Sequence, residues 1–240
     1  QPFYDLIKLF GKQPLALHRP QIMYAVLHLV FMMLVVVLLV QGQDLLMVLF
    51  VQAFSVICLV LGGMSVRSPY SWIGSQRKIL QMLAYEPVLV LLILAVNLRD
   101  NSFLASKVIE NPNPLIFSMP LLFLAFLCVV AIEFQKSPFD VATSHHAHQE
   151  IVKGITLEFS GPFLGLIEIA HCYELAIFFG LMMAFWHTSL IAGFLLAFCS
   201  FLFLLILDNA FSRLTSYWML RYMWTVPLTL ALANLIWLWR

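Results

Sequence analysis

The 240-residue chain has few charged side chains: Lys, Arg, Asp and Glu together make up 10% of it, and the formal net charge is +1. It contains no run of Lys and Arg that could follow a phosphate backbone, so nucleic-acid binding is not expected. Four cysteines lie far apart in apolar segments without CxxC spacing, so we expect buried thiols and no metal or cofactor site in this chain. GxSxG, Walker A and HExxH motifs are also missing, and we expect no catalytic residue.

Hydrophobic residues make up 62% of the chain, and its mean hydropathy is +0.96. These values lie outside the range of soluble domains and predict an all-α polytopic membrane protein, with residues 1–240 as one integral membrane domain. About seven apolar runs have the length that a spanning helix needs. The predicted spans are residues 21–40, 45–61, 79–98, 115–132, 162–186, 188–207 and 224–238.

The first twelve residues are too short to span a membrane. They place Phe3, Leu6, Ile7 and Phe10 on one helical stripe, which predicts an amphipathic helix lying in the membrane interface. The sequence begins with neither Met nor a signal-peptide pattern, so we expect its first residue not to be the translated start.

Orientation follows from the basic residues. The seven predicted spans divide the thirteen Lys and Arg residues between the two sides of the membrane, with ten on one side and three on the other. The positive-inside rule places the side with ten basic residues in the cytoplasm. The amphipathic helix and the polar loop of residues 133–153 are then predicted to be cytoplasmic, and the C-terminus external.

The stretch of residues 133–174 carries an unusual share of the polar groups, with six of the twelve acidic residues and four of the seven histidines. Ionisable groups next to or inside a bilayer are expensive and usually mark an ion path, a docking surface or a substrate site. Within it, Glu168, His171 and Glu174 are spaced i, i+3, i+6, which confines them to one helix face. We interpret them as a chain for handing protons inward, with interhelical hydrogen bonding as the alternative.

Two further groups have candidate roles. Glu86 lies about a third of the way into its predicted span, which suits a proton relay; the alternative is a neutral Glu bonded to a neighbouring helix. The triplet His145, His146 and His148 has the residue type of a metal site but no matching Cys or Asp partner. We therefore interpret it as a solvated or partner-facing loop.

Four motifs in order carry a family resemblance. They are QPxxDxxKL at residues 1–9, GxxRxxxQMxxYE at 74–86, SPFD at 137–140 after Glu133, and EFSG at 158–161. Together they resemble the membrane-subunit family shared by respiratory complex I, where it forms the quinone chamber, the energy-converting NiFe hydrogenases and the formate hydrogenlyases. Members of that family usually have eight spanning helices, so the resemblance implies that the first one is not in this sequence.

The loop between the last two motifs points to one branch. Complex I members usually have an acidic segment there, whereas this chain has the seventeen residues VATSHHAHQEIVKGITL. This form is similar to the hydrogenase branch, most of all to the corresponding membrane subunit of the Ech-type hydrogenases.

The resemblance implies a prokaryotic cell-membrane subunit that couples electron transfer from ferredoxin to movement of H⁺ or Na⁺. The implied partners are the hydrogenase large and small subunits, an iron–sulfur subunit and an antiporter-like membrane subunit, with the NiFe centre and iron–sulfur clusters in those partners. The implied ion path contains Glu86, Glu133, Asp140, Glu158, Glu168, His171 and Glu174. The implied docking or cavity loop contains Arg77, Lys136, Pro138, Phe139, His145, His146, His148 and Glu150.

Two other functions remain open. One is that of a quinone-reducing complex I component, which would need an apolar entrance for a quinone tail. The other is a self-contained ion-coupled transporter, although the seven spans show no inverted repeat.

Overall fold

A computed structural model of the chain describes residues 2–13, 19–142 and 153–239. Within these ranges the secondary structure is helical and contains no β-strand. The helices are α1 (Pro2–Phe10), α2 (Arg19–Val40), α3 (Leu45–Met64), α4 (Pro69–Asp100), α5 (Ala105–Glu110), α6 (Leu115–Ser118), α7 (Pro120–Glu133), α8 (Gly161–Ala184), α9 (Leu190–Ala210) and α10 (Ser216–Trp239). A 3₁₀ turn, Gly154–Thr156, precedes α8.

Six helices in the described ranges, α2, α3, α4, α8, α9 and α10, are long and apolar enough to cross a membrane. A seventh apolar helix, α7, is shorter, with 14 residues. The prediction of an all-α polytopic membrane protein is therefore confirmed. The predicted fourth span is divided at Met119, where φ is −132° and ψ is 51°. Pro120 explains the break, because a proline disfavours helical backbone in the residue before it.

The third span starts earlier than the sequence predicts, at Pro69 rather than near residue 79. Ser68 has extended backbone and Pro69 occupies the first turn, which is a favourable way to begin a helix. With 32 residues, α4 is about 48 Å long and exceeds the roughly 30 Å hydrocarbon thickness. Its first turns can therefore carry polar residues that a hydropathy window leaves out.

A proline in the middle of α4 leaves one backbone acceptor without its usual partner. Pro87 has no N–H, so the carbonyl of Leu83 cannot receive the ordinary i+4 hydrogen bond. The indole Nε1 of Trp224 donates to that carbonyl oxygen at 3.2 Å. This bond joins α10 to α4 at the level of the proline.

The spanning helices pack in a continuous arrangement. α2 packs against α3 and α8, α3 against α4, and α4 against α7 and α10. The amphipathic helix α1 lies against α8, where the ring of Phe10 contacts Gly165. Gly161 begins α8 with a φ of +55° and lies against the carbonyl of Gln13, so a side chain there would be strained and would clash.

Candidate functional site

A cavity of about 220 Å³, here called the polar cavity, lies between α2, α3, α4 and α8 beside the 3₁₀ turn. Its ionisable lining residues are His28, Lys78, Lys153, Glu168, His171 and Glu174. Such a concentration of ionisable groups within a membrane-spanning bundle is costly, and it makes the polar cavity the candidate functional site.

An ion pair lies at the buried side of this cavity. Nζ of Lys78 is 3.1 Å from Oε2 of Glu133, and the two side chains are 4% and 0% exposed. Lys78 comes from the third turn of α4, and Glu133 is the last residue of α7. Tyr85 and Glu174 are close enough to interact electrostatically with Glu133. Two carboxyl groups therefore share the charge of one lysine in this buried cluster.

A second pair comes from one face of α8. Nδ1 of His171 is 3.0 Å from Oε2 of Glu174. Because a carboxylate can only accept, the imidazole donates through Nδ1. Glu168 lies one turn earlier on the same helix and is exposed at the cavity lining. The three α8 residues that the sequence places on one face thus all line the polar cavity.

Lys78 is a site residue that sequence reasoning missed. Hydropathy treats it only as a basic residue flanking a span that begins near residue 79. In the structure, Lys78, Gln81 and Tyr85 are all buried on α4 at spacings of three and four. This helical spacing could have indicated a buried polar face. Because α4 begins at Pro69, Lys78 lies within the helix and on that face.

His28 is the other missed residue. It lies within α2, is buried, and lines the polar cavity. A histidine in an otherwise apolar spanning run was the signal for it, because such residues rarely face lipid.

The SPFD segment is bonded to the last turn of α9 and to the connection between α9 and α10. Asp140 forms an ion pair with Arg213 at 2.9 Å, and Lys136 pairs with Asp208 at 3.3 Å. The Ser137 N–H also donates to Asp208. None of these described residues lines the polar cavity.

Backbone contacts hold the same segment from both sides. The carbonyl of Pro138 accepts from the Leu214 N–H at 2.9 Å, and the carbonyl of Phe139 accepts from Nε2 of Gln81 at 2.8 Å. The Phe139 ring is buried and lies 5.8 Å from the Tyr222 ring. This part of the loop is built into the bundle, and the docking role predicted for it stays a prediction.

The remaining predicted residues lie outside the buried cluster or outside the described ranges. Glu86 is half-buried and makes no hydrogen bond or ion pair within the described ranges. The half-buried Glu158 accepts a hydrogen bond from Gln21 through its backbone carbonyl. Arg77 is half-buried, one residue before Lys78. The predicted residues His145, His146, His148 and Glu150 lie outside the described residues.

The chemistry available in the polar cavity is proton exchange. Its carboxyl, imidazole and ammonium groups can hold different numbers of protons, and each proton changes the charge that their neighbours feel. Among the described residues, no group of three or more His, Cys, Asp or Glu lies close enough together to hold a metal ion.

Similarity to known proteins agrees with this fold. The chain is 30% identical over 209 residues to the H subunit of the NADH-quinone oxidoreductase of Geobacillus kaustophilus, a match that covers 81% of this chain and 62% of the relative. A 29% identical match to the same protein of Bacillus cereus strain B4264 covers the same shares. The chain thus spans less than two thirds of the length of these relatives.

A solved structure of an archaeal respiratory membrane complex, the membrane-bound sulfane sulfur reductase, contains a chain with the same fold. The TM-score is 0.88 at 23% sequence identity, over 99% of this chain and 86% of that one. A family model described as NADH dehydrogenase matches residues 1–239. The chain therefore belongs to the NADH dehydrogenase family of membrane proteins.

Proposed function

We propose that this chain is the ion-coupling membrane subunit of a respiratory complex, and specifically of an energy-converting NiFe hydrogenase. In this function, electron transfer in soluble partner subunits drives H⁺ or Na⁺ across the membrane through the polar cavity. The observation that carries the proposal is the buried Lys78–Glu133 pair beside Glu174 and His171.

The buried cluster has the properties that coupling needs. Lys78 is electrostatically linked to both Glu133 and Glu174, and His171 is bonded to Glu174. Adding or removing a proton at one group changes the field at the others, and because the Lys78–Glu133 pair is buried, mobile ions screen that change weakly. A redox change next to the cavity would therefore move charge from one group to the next.

The proposed partners supply the redox chemistry. They are the hydrogenase large and small subunits, an iron–sulfur subunit, an antiporter-like membrane subunit, and ferredoxin acting through the complex. The NiFe centre and the iron–sulfur clusters would belong to these partners and would exchange electrons with ferredoxin and hydrogen. The polar loop of residues 133–153 would face them on the cytoplasmic side of a prokaryotic cell membrane.

The hydrogenase branch rests on the length and composition of the segment between the SPFD and EFSG motifs, which has seventeen residues and three histidines. A second candidate is the quinone-chamber subunit of an NADH:quinone oxidoreductase. The curated relatives, which are H subunits of NADH-quinone oxidoreductases, favour that function.

Purification of the native complex through this chain distinguishes the two candidates. Nickel with a co-purifying hydrogenase large subunit supports the hydrogenase proposal. Flavin and bound quinone, with iron but no nickel, would replace it with the quinone-reducing function. The isolated chain without any partner would contradict both.

Ion coupling is tested on the same complex in sealed vesicles, as ions moved per electron pair. We expect Glu174→Gln to lower this ratio strongly, because the amide cannot take up or release the proton. Glu110→Gln is the matched control, since Glu110 is exposed at the end of α5, away from the polar cavity. An unchanged ratio in Glu174→Gln would contradict the role of the cluster.

A further inference from the structure

A serine on α3 holds the His28 ring in one orientation. Nδ1 of His28 is 2.7 Å from the hydroxyl Oγ of Ser55 and 2.9 Å from the backbone carbonyl oxygen of the same residue. The Ser55 hydroxyl in turn donates to the backbone carbonyl of His28 at 2.8 Å. Both side chains are buried, so these three contacts join α2 to α3 without competition from bulk water.

These contacts determine which ring nitrogen carries the proton. The Ser55 carbonyl oxygen can only accept a hydrogen bond, and the Ser55 hydroxyl proton is already used on the His28 carbonyl. Nδ1 must therefore be the N–H nitrogen. In the neutral ring the other nitrogen, Nε2, then carries the free lone pair.

Nε2 of His28 makes no hydrogen bond within the described ranges, and the residue lines the polar cavity. His28 interacts electrostatically with Glu174 and His171 of α8 and with Lys78 of α4. The other ionisable lining groups are Glu168 of α8 and Lys153 beside the 3₁₀ turn. His171 is also bonded through Nδ1, and its Nε2 makes no hydrogen bond to the described part of the chain.

We infer that His28 is a proton-accepting residue of the polar cavity, with Ser55 as the positioning residue that directs Nε2 toward the ionisable groups. The inference rests on the proposed function. When His28 accepts a proton, an Nε2–H bond forms while an O–H or N–H bond of a donor in the cavity breaks, and no electrons are transferred. Release of the proton from Nε2 restores the neutral ring with Nδ1–H still bonded to Ser55.

The tautomer is tested directly by ¹⁵N NMR of the full chain, labelled on histidine, in lipid bilayers. The His28 signal is identified by its loss in His28→Asn, whose amide can still donate to Ser55. We expect protonated Nδ1 and unprotonated Nε2 in the neutral ring. The opposite tautomer would overturn the inference whatever the transport activity.

The proton-transfer role is tested in the native complex. We expect His28→Asn to slow ion movement by about 10²-fold, the lower end of what positioned acid–base groups contribute. Ser55→Ala leaves the carbonyl acceptor in place and should slow it less. Ser200→Ala is its matched control, because Ser200 is a buried α9 serine that also donates to a helix carbonyl, at 2.8 Å.

Glu174→Gln in the same series separates the inference from the proposed function. Normal ion movement in His28→Asn, together with a loss in Glu174→Gln, would overturn only the role of His28. Normal ion movement in both variants would overturn the coupling function and the inference with it.

Discussion

Two cavities share four lining helices, α2, α3, α4 and α8, and differ in the chemistry of their linings. The polar cavity uses residues 167–174 of α8, whereas an apolar cavity of about 380 Å³ uses residues 176–184 of the same helix. Among the described residues that line the apolar cavity, Gln52 is the one with a polar side chain.

The difference shows that one set of helices can line both an ionisable cavity and an aliphatic one. Along α8 the ionisable lining ends at Glu174 and the aliphatic lining begins at Ala176, only about 3 Å further along the helix axis. The step is longer on α2, from His28 to Val36, and on α4, from Lys78 to Leu89. In the polar half, ion pairs and hydrogen bonds fix the positions of the side chains. In the apolar half the positions depend on packing alone, so the two halves should respond differently to substitution.

The largest effect is expected from Lys78→Met. The change leaves Glu133 buried without its cation, which should cost about 3–5 kcal/mol of unfolding free energy. It should also abolish ion coupling. Thermal unfolding in mild detergent and ion transport in vesicles measure the two effects. Adding Glu133→Gln should recover much of the stability but not the ion coupling. A double variant no more stable than Lys78→Met would show that the unpaired Glu133 charge is not the cause of the lost stability.

Phe126→Ala should affect stability alone. Phe126 is buried, lines the apolar cavity, and lies 5.6 Å from the Phe185 ring, so its loss enlarges that cavity at a cost of about 3 kcal/mol. The ratio of ions moved per electron pair should stay as in the parent complex. The exposed Phe198, replaced by Ala, is the control and should change stability little. A loss of coupling in Phe126→Ala would show that the two cavities work together.

Alanine substitutions at two glycines, one beside each cavity, should have smaller and opposite effects on stability. A Cβ on Gly74 would clash with the backbone at Ile155, in the turn beside the polar cavity, so Gly74→Ala should cost about 1–3 kcal/mol. Gly180 lines the apolar cavity, and a Cβ there would meet nothing within 4 Å. Gly180→Ala should stabilise α8 by about 0.5–1 kcal/mol. Equal effects at the two glycines in thermal unfolding would contradict this contrast.

The smallest effect is expected from Glu86→Gln. Glu86 is half-buried and makes no ion pair in the described ranges, so the unfolding free energy should change by no more than about 0.5 kcal/mol. Ion coupling should fall less than in Glu174→Gln, measured in the same vesicles. A loss as large as that of Glu174→Gln would instead place Glu86 on the main path.

Short-range patterns predicted part of the site. The i, i+3, i+6 spacing of Glu168, His171 and Glu174 was enough to place them on one face, because helix geometry alone sets that face. Lys78 was missed because hydropathy placed the start of its helix near residue 79. The helix begins at Pro69, and this earlier start carries the lysine into the bundle. The SPFD motif was recognisable, but its attachment to the connection between α9 and α10 was not predictable from local sequence.

The sequence by itself determined that this is an all-α polytopic membrane protein, because apolar runs of spanning length and their polar breaks are local properties of the chain. It also marked residues 133–174 as the polar stretch. Only the tertiary structure decided that Lys78 pairs with Glu133, 55 positions away, and that Ser55 orients His28, 27 positions away. Pairing between helices depends on which faces meet after packing, and local composition and periodicity do not determine those faces.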